Sequence, residues 1–450
     1  MRNIGDLIKE HTVVVDGGSG VLIQPMTDED SYILTAKHNI LVNSEESESA
    51  TKVLAGIKIK TINGDELQAK KIYRDQSLDI AVILIDRYTT ELKVYPYQGQ
   101  LNSEDDIWLY GYPGRLRLKS PLVNDWIEKY DLKLHESSSS TVTFRNRESA
   151  LYAEIKGFSG GGIFHVNEAK EQCFLAGIEN KMSSHGEYVD RIVGIPIVAF
   201  DGLLKENDLA PLKPLHLVDF KYLSDKIFPL RNCVNPTNLT SVKELLTHLA
   251  NKKLNSANIT PIKILEKFES KLLVYKSNKS ELEEANLWVA ILELLVLNSL
   301  IDASNQWTEE HLKNLFETFR LVYIKSNYGW KGELDKIFFT STEGVVSGGK
   351  MIVIIGGDLP STPIISKEFI KKAVPDISNA NSEEAIDNPF HSRIISGDIT
   401  IIHWLKLHQE CIEDKEFDFK ELNLMTDKED IIRVLDENYS IYFNNGNINE

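Results

Sequence analysis

Lys156-Gly157-Phe158-Ser159-Gly160-Gly161-Gly162 is the stretch on which the reading of this chain turns. A serine between glycines lets the backbone bend sharply enough to expose a hydroxyl and to aim N–H groups at an oxyanion beside it. By itself such a run describes many surface turns. Two stretches upstream make it more specific. Tyr32-Ile33-Leu34-Thr35-Ala36-Lys37-His38 is an apolar strand ending in a histidine, and Ser77-Leu78-Asp79 leads into the apolar strand Ile80-Ala81-Val82-Ile83-Leu84-Ile85. Acyl transfer by a serine needs a base to take the hydroxyl proton and an acid to fix the tautomer of that base. The chain supplies these as His38, Asp79 and Ser159. Asp79 follows His38 by 41 residues and Ser159 follows Asp79 by 80, enough for several short strands in each interval. The order His, Asp, Ser differs from that of subtilisins and of α/β-hydrolases.

At these residues the sequence resembles the trypsin-like serine peptidases of the bacterial, disulfide-free kind. The resemblance rests on Gly18-Ser19-Gly20-Val21-Leu22-Ile23, Leu34-Thr35-Ala36-Lys37-His38, Leu78-Asp79-Ile80-Ala81-Val82, Tyr110-Gly111-Tyr112-Pro113-Gly114, Gly157-Phe158-Ser159-Gly160-Gly161, Leu175-Ala176-Gly177-Ile178 and Gly194-Ile195-Pro196. It covers roughly the first 200 residues, and it implies an all-β chymotrypsin-like double β-barrel. His38 is then the general base, Asp79 its orienting acid and Ser159 the nucleophile, with the N–H groups of Gly157 and Ser159 forming an oxyanion hole. The resemblance also puts Ala153, six residues before the nucleophile, at the base of the primary substrate pocket, with Glu179 and Asn180 beside it. Alanine offers no charge for a basic side chain, whereas neighbouring Glu154, and Glu179, could supply a negative wall; solvent-facing glutamates are the plainer alternative. Phe158 replaces the aspartate usual before the serine, and Gly162 stands where proline is frequent, so how the hole is held is open.

At 450 residues the chain is too long for one core. With 42% hydrophobic and 26% charged residues it has the composition of a globular protein, and its net charge of −17 argues against binding to nucleic acid or anionic membrane. Three separated cysteines imply no disulfide framework. The charged N-terminus lacks the apolar core of a signal peptide, and no long uncharged apolar run follows; a cytoplasmic location and no membrane contact are expected. The chemistry requires no metal or organic cofactor.

Short runs such as Val13-Val14-Val15, Ile57-Lys58-Ile59-Lys60, Ile107-Trp108-Leu109-Tyr110 and Thr141-Val142-Thr143-Phe144 read as strands, and Asn63-Gly64 as a hairpin turn. After about residue 205 the texture becomes helical. Ser241-Val242-Lys243-Glu244 reads as a capping box, Thr260-Pro261 as a cap with proline at the first helical position, Ser280 with Glu283 as a further start, and Trp307-Thr308 as the opening of a helix through Phe319. From about 336 the pattern is mixed α/β, with Met351-Ile352-Val353-Ile354-Ile355 a buried strand and Ser366-Lys367-Glu368-Phe369-Ile370 a short helix. Three regions are thus expected: a peptidase domain over 1–205, a helical regulatory or interaction region over 206–335, and a mixed α/β region over 336–450.

Gly344-Val345-Val346-Ser347-Gly348-Gly349-Lys350 matches most of a phosphate-binding loop but lacks the hydroxyl residue after the lysine and precedes a strand, so a glycine-rich hairpin is expected. His403, His408 and Cys411 read as one helix with spacing unsuited to zinc. Leu294-Leu295-Val296-Leu297, Trp330 and Gly348-Gly349 together resemble the C-terminal regions of effectors of bacterial conflict systems, where such a module joins a protease or nuclease to an ATPase partner. The expected function is an intracellular serine endopeptidase acting on a protein substrate, regulated through its C-terminal half by an ATPase or sensor and serving antiviral defence. The alternatives are a catalytically inactive protease-fold binding module and an esterase using the same acyl chemistry.

Overall fold

The computed structural model describes residues 3–42, 50–90, 92–138, 140–146, 156–167, 172–185, 188–257, 259–268, 272–274, 279–301, 307–326, 329–338, 340, 342–366, 369, 393 and 396–443. The chain divides into two compact units, Met1–Pro214 and Leu215–Glu450.

In the first unit, β1 (Thr12–Val15), β2 (Gly18–Ile23), β3 (Asp30–Thr35), β4 (Ile59–Lys60), β5 (Glu66–Leu67), β6 (Ala69–Arg74) and β7 (Ala81–Asp86) form one antiparallel sheet in the order β5-β4-β1-β2-β3-β7-β6. The tight turn between β4 and β5 holds Gly64 at φ +87°, as Asn63-Gly64 leads one to expect. Val13, Val15, Leu22, Ile33, Ile59, Ala81, Ile83 and Ile85 fill a single interior, so the sheet curls around its own core.

The second sheet runs β12-β9-β10-β11-β14-β13-β8, with β8 (Tyr95–Pro96), β9 (Asp106–Gly111), β10 (Glu128–Ser137), β11 (Val142–Asn146), β12 (Gly162–Asn167), β13 (Gln172–His185) and β14 (Tyr188–Pro196). Pairing of β12 with β13 closes it into a six-stranded barrel. Its inside is lined by Leu109, Leu132, Phe144, Phe158, Ile163 and Ile192. A third cluster takes Val21, Leu34 and Val82 from the first sheet, Phe164, Leu175, Ile178 and Ile195 from the second, and Phe200, Leu203 and Leu204 from the helix Ala199–Glu206. The two barrels share this apolar seam, and the fold is the expected chymotrypsin-like double barrel.

Leu212 bridges Pro25, Met26 N–H donates to Pro211 O, and Lys213 N–H donates to Gln24 O. The segment through residue 213 therefore belongs to the first unit, beyond the expected boundary at 205.

The second unit contains a four-stranded parallel sheet, β15 (Leu272–Val274), β16 (Phe319–Ile324), β17 (Lys350–Ile355) and β18 (Thr400–His403), in sequential order. It crosses residue 335, taking two strands from the stretch read as helical. Phe319–Ile324 is buried at every residue, Arg320 included, and so short a run, apolar but for that arginine, has no period that separates strand from helix. The Gly344–Gly349 stretch is not a hairpin, because β16 and β17 are parallel; Gly344 and Gly348, at φ +75° and +76°, turn the chain into β17.

The helix Pro261–Phe268 begins at the expected proline, and Glu309–Thr318 is capped by Thr308. The expected capping box at Ser241 is not used. Helix Thr240–Ser256 follows directly on a 3₁₀ turn, Pro236–Leu239, whose cap is Asn235. His403 ends β18, whereas His408 ends the helix Trp404–His408. The middle of the expected Ser366–Ile370 helix lies outside the described residues. No helix among the described residues is long and apolar enough to cross a membrane.

Candidate active site

β3 and β7 pair antiparallel with Thr35 opposite Ala81, so the residues just after the one and just before the other emerge together. Beyond Thr35 the chain makes a 3₁₀ turn, Lys37–Ile40, that carries His38. Before Ala81, Asp75 accepts hydrogen bonds from the N–H groups of Ser77 and Leu78, both 2.7 Å, a local turn that presents Asp79. Lys37 N–H donates to Asp79 O at 3.2 Å, and the buried Lys37 ammonium donates to Asp75 O at 2.9 Å, tying the two segments together.

Asp79 holds His38 twice. One oxygen accepts from the His38 main-chain N–H at 2.9 Å and the other is 2.7 Å from the ring Nδ1. On the far side of the ring, Nε2 is 2.6 Å from Ser159 Oγ. With Nδ1–H donating to the carboxylate, Nε2 is the lone-pair nitrogen and accepts from the serine hydroxyl. Burial works to raise the Asp79 pKa; the hydrogen bonds and charge of His38 outweigh it, and the carboxyl is held below its ordinary value. His38 and Asp79 are both partly open to solvent, their side chains 27% and 29% exposed.

Ser159 stands on a tight turn between glycines of positive φ. Gly157 has φ +106° and Gly160 φ +85°. A Cβ at Gly160 would lie 2.0 Å from Ser19 O, and one at Gly157 would lie 2.7 Å from Gly114 N. Both positions demand glycine for conformation and for space. The Gly157–Ser159 backbone is pinned from the first barrel: Ser19 N–H (2.7 Å) and Asn39 Nδ2 (2.8 Å) donate to Ser159 O, and Ser19 Oγ donates to Gly157 O at 3.1 Å. Lys156 O accepts from Gly114 N–H at 2.8 Å. In a trans peptide the N–H is directed opposite to the carbonyl, so the Gly157 N–H faces away from Gly114. Neither it nor the Ser159 N–H has an acceptor among the described residues.

Phe158, where the resemblance leads one to expect an aspartate, is wholly buried in the second barrel, its ring 5.3 Å from that of Tyr130. The turn is thus anchored by apolar packing. Gly162 opens β12 where a Cβ would meet the Phe164 ring at 2.4 Å.

Asn180 O lies 3.2 Å from Ser159 Oγ as a second acceptor. Glu179 is clamped to the serine loop by its main chain, its O accepting from Gly160 N–H and its N–H donating to Gly161 O, each 2.8 Å. It is not the solvent-facing glutamate of the plainer reading, since its side chain is fully buried. Ala153 and Glu154 lie outside the described residues. Sequence reasoning missed Ser19 and Asn39 as supports of Ser159. Ser19 lies in a glycine-flanked run and Asn39 directly follows His38, but nothing local to either foretells a bond to residue 159. No grouping of His, Cys, Asp or Glu fit to hold a metal occurs among the described residues.

Solved structures similar to this chain include the Rv3671c protease of M. tuberculosis. Its active form is 14% identical, with 47% of this chain and 86% of that chain covered and a TM-score of 0.34. An inactive form is 15% identical, with 45% and 91% covered and a TM-score of 0.32. No curated protein matches the chain. The family described as C-terminal domain 4 of the ABC-three component (ABC-3C) systems matches residues 194–413. The chain therefore joins a chymotrypsin-like double barrel to a region similar to that C-terminal domain.

Proposed function

We propose that the first unit is a serine endopeptidase working through an acyl-enzyme on Ser159, and that the second unit connects it to the other components of an ABC-3C type system. The observation that carries the first part is the unbroken hydrogen-bonded chain from Asp79 through His38 to Ser159. Ser159 Oγ attacks a carbonyl carbon as His38 Nε2 takes its proton. Asp79 keeps the ring in the right tautomer and stabilises the imidazolium that forms. The N–H groups of Gly157 and Ser159 are the donors for the developing oxyanion. The protonated His38 then gives its proton to the leaving amine, and water, activated by the same ring, releases the acyl group. The reaction draws on protein groups alone.

The match of residues 194–413 supports reading the second unit as a coupling module. In that reading the peptidase serves an antiviral defence system in the cytoplasm, and an ATPase or sensor partner governs its activity.

Labelling the full chain with a fluorophosphonate and locating the adduct by mass spectrometry tests the chemistry. Modification confined to Ser159, and lost in Ser159→Ala and His38→Ala, supports the peptidase reading. A folded chain that stays unlabelled both whole and as the fragment 1–214 refutes it and leaves a binding module.

A further inference from the structure

Glu179 is the one fully buried carboxyl beside the site among the described residues, and the mechanism above makes no use of it. Neither of its oxygens has a hydrogen-bond partner among those residues. A carboxyl taken out of water without a partner is costly, so its presence calls for a reason. Its position supplies one. The main chain of Glu179 bonds to Gly160 and Gly161, and the next residue offers its carbonyl to Ser159 Oγ.

Opposite Glu179 on β14 stands Gly194. Directly paired residues of an antiparallel ladder present their side chains to the same face. A Cβ at Gly194 would run into Ile163 Cδ1 at 2.3 Å, and Ile163 belongs to the core of the second barrel. Glu179 therefore enters the wall of the second barrel immediately behind the nucleophile, across from a residue with no side chain. Burial first, and then the charge of Asp79, push its pKa up to about 8; a cation is what this carboxyl lacks.

We propose that Glu179 is the specificity-determining residue of the substrate pocket, pairing with the ammonium or guanidinium of a lysine or arginine that supplies the scissile carbonyl. The proposal rests on the peptidase reading for its substrate, but the subsite itself can be tested without catalysis. A cationic side chain entering the pocket gives the carboxylate its partner, and the proton that Glu179 carried passes to solvent. The specificity charge then sits on the strand after the nucleophile rather than six residues before it, at Ala153.

The test uses the full chain as Ser159→Ala, which cannot acylate, and the probe 4-aminobenzamidine, whose fluorescence rises when its amidinium-bearing ring leaves water. Its neutral counterpart, 4-aminobenzamide, serves as control. Saturable binding of the amidinium over the amide is expected, weakened roughly 10- to 100-fold by adding Glu179→Gln, since a hydrogen bond to a charged group is worth about 1.5–3 kcal/mol. Glu179→Asp, which keeps the charge, should retain part of the affinity. Melting curves identify variants that remain folded.

Equal affinity of amidinium and amide, no binding at all, or binding unchanged in folded Glu179→Gln would overturn the proposal. Fluorophosphonate labelling of the wild type is read beside it. Labelling without amidinium preference overturns the proposal while leaving the peptidase intact. Glu179-dependent amidinium binding without labelling supports the subsite and counts against an active enzyme.

Discussion

Replacing Asp79 by asparagine preserves shape and removes a charge, and the structure indicates where the damage falls. The oxygen of the new amide would still accept from the His38 main-chain N–H, now 2.9 Å from the carboxylate. The amide NH₂ would then face His38 Nδ1 across the present 2.7 Å. Two donors cannot share that contact, so the ring moves its proton to Nε2. There it meets Ser159 Oγ, 2.6 Å away, and the serine can no longer give its proton to the ring. The hydroxyl turns instead to Asn180 O at 3.2 Å, an acceptor that is not a base. A wrong-tautomer histidine in such a triad costs about 10⁴ in rate, or about 5 kcal/mol in transition-state stabilisation. The assay is the second-order rate of fluorophosphonate labelling near neutral pH, with the low-field Nδ1 proton resonance of His38 followed in parallel. Labelling should fall by roughly three to four orders of magnitude, and the resonance should disappear. A rate close to that of the wild type, on a protein of unchanged melting temperature, would refute the reasoning.

Gly160→Ala should destabilise the first unit by about 3 kcal/mol, combining left-handed strain with a Cβ against Ser19 O; calorimetry should show a melting temperature lower by roughly 6–12 °C, with labelling lost. His11 is buried and neutral, its Nδ1 donating to Leu22 O at 2.8 Å and its Nε2 accepting from Lys93 N–H at 3.0 Å, and burial lowers its pKa from 6.5 to about 4. A depressed histidine stabilises fully above its unfolded value of 6.5 and loses that contribution, about 3 kcal/mol, as pH falls through 4; urea unfolding at neutral pH and at about pH 4.5 should differ accordingly, and His11→Gln should flatten the difference. Glu293 accepts from Phe228 N–H at 2.5 Å, Trp404 Nε1 at 2.8 Å and His408 Nε2 at 3.2 Å. Glu293→Ala strands all three donors and should cost roughly 3–5 kcal/mol, shifting one of two calorimetric transitions; a shift of both would mean that the units unfold together. A fragment 1–214 should melt above a fragment 1–205, which cuts the helix Ala199–Glu206 and loses the Pro25–Leu212 bridge; equal melting temperatures would refute the assignment of residues 206–214 to the first unit.

Much of the first unit was legible in the sequence because its signals are local. Short apolar runs bounded by Gly, Asn, Asp and Ser mark strands, glycines at 157 and 160 mark backbone that only glycine adopts without strain, and the chemistry of acyl transfer limits which residue types can serve as nucleophile, base and acid. The second unit was harder to read. Its helices announced themselves through caps such as Thr308 and Pro261, but β15 and β16 are short segments whose identity as strands depends on their lying beside each other and, for β16, beside β17. Which strand pairs with which leaves no trace in the sequence of either partner, since the hydrogen bonds are made by backbone that every residue carries.

The same division runs through the site. Sequence by itself determined His38, Asp79 and Ser159 as candidates, because their chemistry is a property of residue type and order. Only the tertiary structure decided that Ser19 and Asn39 hold the Ser159 carbonyl, that Phe158 anchors the turn by packing, and that Glu179 lies buried without a hydrogen-bond partner among the described residues. Such bonds join residues 120 and 138 positions apart, and burial and hydrogen bonding come into being only when the chain brings distant segments together and removes the water between them.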